Sequence, residues 1–118
     1  MKVEWIEYKG KKILYCDYRL AKSDKELISL YHKQIEILKN TPGKTILLAN
    51  VSETHAGSDY MNEIKTYGQD IKKKKIEKTA TLGVSGIKKV LFSAYIAFTG
   101  QVNKAFDNET DAKEWLIK

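Results

Sequence analysis

Cysteine is almost missing from this 118-residue chain. Cys16 stands alone, so no intrachain disulfide can form. One thiol and two histidines, His32 and His55, give no Cys/His spacing of the zinc-binding kind, so no metal is expected. Arginine is as scarce: Arg19 is the lone one. Proteins that read phosphates or bases favour the planar fork of arginine. Nucleic acid is therefore not an expected partner, although the net charge is +6. No run of 18 apolar residues exists, so no transmembrane segment is expected. Met1 to Glu7 carries charges inside its apolar stretch and is not expected to act as a signal peptide. With a single thiol, the default expectation is a cytoplasmic location. There is no Walker A loop, no Gly-x-Gly-x-x-Gly fingerprint and no Gly-x-Ser-x-Gly elbow. No cofactor is expected.

What is present fits one ordinary globular core. The chain is 42% hydrophobic and 31% charged. Residues 1–118 read as a single domain without internal repeat, low-complexity segment or linker. Val3 to Tyr8 and Ile13 to Tyr18 are aromatic and β-branched runs split by Lys9-Gly10-Lys11-Lys12, the pattern of a β-hairpin. Ser23-Asp24-Lys25-Glu26 is a capping box in which Glu26 returns to the Ser23 N–H. It opens a helix to about Lys39 with Leu27, Ile28, Tyr31, Ile35 and Leu38 on its core face. Asn40-Thr41-Pro42-Gly43 stops it.

Thr45 to Val51 is continuously apolar and predicts a central strand covered on both sides. A polar loop, Ser52 to Ser58, leads into a second helix with Ser58 as its N-cap and Met61, Ile64, Tyr67 and Ile71 inward. Lys72 to Lys75 closes that helix, complementing its dipole and staying solvated. A strand near Lys78 to Val84 follows, then a helix from Ile87 to about Phe98 whose inner stripe is Val90, Leu91, Ala94, Tyr95 and Phe98. Gln101 to Phe106 reads as an edge strand. Asn108 caps a last helix packed down by Ala112, Trp115 and Leu116. The order is ββ-αβ-αβ-αβ-α: a mixed sheet of about five strands with four helices, class α/β.

Two corners could carry chemistry. Ser52, Thr54, His55, Ser58 and Asp59 crowd the loop after the central strand, the end of an α/β sheet where ligands gather. They suit phosphorylation or an interaction surface; helix capping by Ser58 is the plainer account. Catalysis is not expected, because a Ser-His pair needs an orienting group and an oxyanion hole. Gly83-Val84-Ser85-Gly86 is a glycine-rich turn, and Ser85 and Gly86 could present N–H groups to an anion. Close strand-to-helix packing explains its glycines equally well. Trp115, Phe98 and Tyr95 could line a pocket for a small apolar ligand, although their spacing favours core packing.

Pro42-Gly43-Lys44 before the central strand, Thr79 to Gly86 before a helix, and the ending Phe106 to Leu116 together resemble the small bacterial STAS/SEC14-domain, SpoIIAA-like proteins. The resemblance covers nearly the whole chain. It implies a single STAS-like domain, similar in fold to anti-sigma-factor antagonists. It implies a non-enzymatic regulatory or protein-interaction module whose partner is an anti-sigma factor or kinase-like regulator. In such antagonists a serine at the start of the helix after the central strand is phosphorylated, and the matching position is Ser58. The usual Asp-Ser-Ser-Gly is Ala56-Gly57-Ser58-Asp59 here, and Asn50 stands where an aspartate is common. The SEC14 side of the resemblance implies binding of a small amphipathic, lipid-like ligand instead.

Overall fold

A computed structural model describes residues 2–118. The elements run β1 (Lys2–Tyr8), β2 (Lys11–Asp17), α1 (Asp24–Lys39), β3 (Thr45–Asn50), α2 (Ser58–Thr66), α3 (Gln69–Lys75), β4 (Ile76–Leu82), α4 (Ile87–Thr99), β5 (Asn103–Phe106) and α5 (Glu109–Leu116). The α/β expectation holds; among the described residues there are five strands and five helices, one helix more than expected. The sheet order is β1-β2-β3-β4-β5. β1 and β2 form the antiparallel hairpin, and β2 through β5 are parallel. A strand order that advances one step at a time, with right-handed crossovers, puts every crossover helix on the same face. Helices α1 to α4 therefore share one side of the sheet, and α5 is left to cover the other.

The alternation of side chains along the strands feeds both faces. Leu14, Cys16, Tyr18 and Leu47 pack with α1, while Ile13, Tyr15, Leu48, Ala80 and Leu82 pack with α5 through Ala112 and Leu116. Helix α1 starts at Ser23, whose hydroxyl accepts the Glu26 N–H at 3.2 Å. The Glu26 carboxylate takes the Lys22 N–H at 2.7 Å, one residue earlier than the capping box anticipated. Leu30 and Gln34 join its core face. Gln34 tolerates burial because the Tyr18 hydroxyl donates to its Oε1 at 2.7 Å. Helix α5 is capped by Asn108, which accepts the Asp111 N–H at 2.9 Å. Among the described residues no helix is long and apolar enough to cross a membrane.

Three expectations need correction. The helix after the central strand is two helices, because Gly68 sits at φ +74° and ends the first. Tyr67, just past the end of α2, is 43% exposed, and the buried tyrosine of α2 is Tyr60. Ser58 is not the N-cap of α2. Gly57 is, and a carboxylate from another helix supplies what a capping side chain would. Finally, Val90 and Phe98 are 63% and 67% exposed, and Ala94 is exposed too. Of α4, Tyr95 is buried and Leu91 and Phe92 are half-buried. The apolar residues of α4 go all the way round, so the apolar pattern alone did not say which side would face in.

Candidate functional site

Beneath α4 lies a cavity of about 130 Å³, partly open to solvent. Its origin is in the strands. On the face that carries the crossover helices, β3 and β4 offer Ala49, Thr79 and Thr81, all short. A helix laid over short side chains leaves a gap that its own side chains must fill. Leu91, Phe92 and Tyr95 reach down from α4 but do not close it. Tyr60, Met61 and Ile64 of α2 form one wall, and Leu27 and Tyr31 of α1 another.

Polar groups enter this apolar space at two ends. At one, the Lys88 Nζ donates to the Val51 carbonyl at 2.7 Å, tying the start of α4 to the end of β3. Desolvation holds the Lys88 ammonium below the ordinary lysine pKa. At the other end is Lys72, which is only 7% exposed. Its Nζ donates to the Tyr95 hydroxyl and lies 5.0 Å from the ring centroids of both Tyr31 and Tyr95. The Gln101 amide also donates to the Tyr95 hydroxyl, at 3.1 Å. The expectation that the whole lysine run stays solvated is thus overturned at Lys72. Lys73 and Lys74 are exposed, and Lys75 caps the Thr41 carbonyl at 2.7 Å. Burial pushes the hydroxyls of Tyr18, Tyr31 and Tyr60, which also line the space, well up, so they stay protonated donors.

The loop residues singled out by sequence separate. Thr54 is buried at the cavity wall, its hydroxyl donating to the Val51 carbonyl at 2.7 Å. Ser52 is half-buried, its N–H held by Asn50 Oδ1 at 3.1 Å. His55, Ser58 and Asp59 are exposed. The N-terminus of α2 is already occupied: the Asp24 carboxylate accepts the Gly57 N–H at 2.8 Å and the Tyr60 N–H at 3.1 Å. In the glycine-rich turn Ser85 and Gly86 are exposed, and their carbonyls accept the N–H groups of Lys88 and Lys89. Gly83 packs so closely on Ser52 that an added Cβ would lie 2.4 Å from the Ser52 nitrogen. Close approach therefore accounts for that glycine. Phe98 turns outward, Trp115 packs on Phe106 across the sheet, and Tyr95 reaches the cavity.

Sequence reasoning missed Lys72, Gln101 and Ala49. Lys72 was hidden in a run whose usual fate is solvent. No family model, curated protein or solved structure matches the chain.

Proposed function

We propose that this chain is a non-enzymatic binding domain of the STAS/SEC14-like type that takes a small amphipathic molecule into the cavity under α4. The observation that carries the reading is the cavity itself, floored by Ala49, Thr79 and Thr81 and roofed by α4, whose Leu91 and Phe92 are half-buried. An engineered apolar cavity of roughly 150 Å³ holds benzene, so this volume suits a ligand core of about six heavy atoms. A mostly apolar lining with a few convergent polar groups is the usual make-up of small-molecule sites. Helix α4 supplies a way in. It rests on the sheet side through Leu91, Phe92 and Tyr95, and fully burying such a side chain contributes roughly 1.5–3 kcal/mol. Opening it further would also break the Lys88–Val51 and Lys72–Tyr95 hydrogen bonds, so entry by that route is a local opening with a real free-energy cost.

Benzyl alcohol, a neutral probe of suitable size, tests this by NMR titration. Shift changes should cluster at Ala49, Thr81, Tyr60, Leu91 and Tyr95. Ala49→Leu places three more carbons in the cavity and should abolish them while leaving the remaining spectrum folded. Scattered or absent shifts at millimolar probe, or full binding by Ala49→Leu, would sink the reading.

A second reading is a regulatory module switched at Ser58, with an anti-sigma factor or kinase-like regulator as partner and a cytoplasmic location. What favours it is the exposure of Ser58 in the first turn of α2, beside the Asp24 tie. A phosphoryl group adds about −1.5 to −2 charges and would compete with Asp24 for the same N–H groups. Because α2 also forms a cavity wall, the two readings share a moving part. Ser58→Asp should leave the fold intact and change partner recovery in a pull-down; equal recovery of the same partners by both forms counts against it.

A further inference from the structure

We propose that the cavity's ligand is an anion, a short amphipathic monocarboxylate, whose head group binds Lys72 and Tyr95 while its apolar part fills the space above Ala49 and Thr81. The proposal rests on the cavity-binding reading and adds the chemical class of the ligand.

Lys72 is a buried cation without a counter-ion. Among the described residues, the ion pairs found do not include it. The cavity lining carries Lys72 and Lys88 and no Asp or Glu among those residues. Glu77 lines a neighbouring outer recess that also touches Lys72, yet makes no ion pair with it. Buried charges in proteins are ordinarily paired, because desolvating one alone is costly. The two tyrosine ring faces ease that cost without removing the charge.

The hydrogen-bond inventory points the same way. An ammonium has three hydrogens, and the Tyr95 hydroxyl takes one. That hydroxyl accepts from both Lys72 and Gln101, which uses its two lone pairs and leaves its own hydrogen to donate. Spare donors from an ammonium and a phenol thus meet at one end of an apolar space. The two oxygens of a carboxylate match this set. A phosphate dianion brings more acceptor oxygens and is generally met by arginine, and none lines the cavity.

The test compares hexanoate with 1-hexanol, of equal chain length, by NMR titration at pH 7. Hexanoate should bind the wild type at least tenfold more tightly. Lys72→Met should keep binding 1-hexanol and lose that preference. Hexanoate should also move the Lys72 side-chain methylene signals of the wild type, a readout that survives even if Lys72→Met does not fold. If neither probe binds, the cavity-binding reading falls, and this proposal with it. If both bind the wild type equally, cavity binding stands and the anion assignment is overturned. A hexanoate preference that persists in Lys72→Met, or wild-type Lys72 signals that do not move, overturns it as well.

Discussion

Replacing Asp24 perturbs two helices at once. Its carboxylate sits in the first turn of α1 and also accepts the Gly57 and Tyr60 N–H groups at the start of α2. Removing a capping side chain costs about 0.5–2 kcal/mol, and bonds to a charged acceptor lie at the upper end. Asp24 is half-exposed, so water recovers part of the loss. Asp24→Ala should therefore cost about 2 kcal/mol, a fall in Tm of about 8 °C for a chain of this size. Asp24→Asn keeps one acceptor oxygen but no charge, and should cost about half as much. The sharper experiment is a cycle with Ser58→Asp. In the wild type the new carboxylate competes with Asp24 and should cost about 0.5–1 kcal/mol. In Asp24→Asn it has the α2 terminus to itself and should stabilise by about 0.3–1 kcal/mol through the helix dipole. The coupling is then about 1 kcal/mol or more, measured by urea denaturation of the four proteins. A shift under about 2 °C for Asp24→Ala, or a cycle additive within about 0.3 kcal/mol, would refute this account of the α1–α2 joint.

Three further perturbations follow from the same geometry. Gly83 has φ +87° and meets the Ser52 backbone, which cannot move aside as a side chain could; Gly83→Ala should cost about 3 kcal/mol in urea denaturation, and a loss below about 1 kcal/mol would contradict it. Val90→Ser and Phe98→Ser should each stay within about 0.5 kcal/mol of the wild type, because both side chains face solvent; a loss of about 2–5 kcal/mol in thermal or chemical melts would mean that they belong to the core. The Arg19 guanidinium, hydrogen-bonded to buried Asp17 at 2.9 Å, holds that carboxyl below its ordinary 3.8. A depressed carboxyl pKa contributes stability above the unfolded value that is lost as pH falls through the folded one. Asp17→Asn should therefore cost about 1 kcal/mol at pH 7 and flatten the stability profile below about pH 4; an unchanged acid slope would disprove it.

The hairpin, the central strand, the first helix and the last were legible because their signals are local. Lys9-Gly10 makes the turn, Thr45 to Asn50 is apolar on both faces, and Ser23 and Asn108 cap as serine and asparagine commonly do. The cavity was not legible, since a gap depends on which side chains face each other across elements far apart in sequence. Lys72 lies between these cases. Successive residues on a helix turn by about 100°, so four consecutive lysines sweep about 300° of its circumference. No helix packed against a core can point all four at water, and one of Lys72 to Lys75 had to face in. Which one follows from the break at Gly68. An added Cβ there would lie 2.8 Å from Ile35 Cδ1, so Gly68 faces α1. One turn on, the Lys72 N–H bonds the Gly68 carbonyl, and residue 72 falls on that same face. On α1, Tyr31 lies one turn from Ile35, and its ring is what the Lys72 ammonium meets at 5.0 Å. The glycine that splits the helix thus also sets the phase that carries a charge into the apolar space. A residue at 68 that let α2 run on unbroken would change that phase and, with it, the contact of Lys72 with Tyr31 and Tyr95.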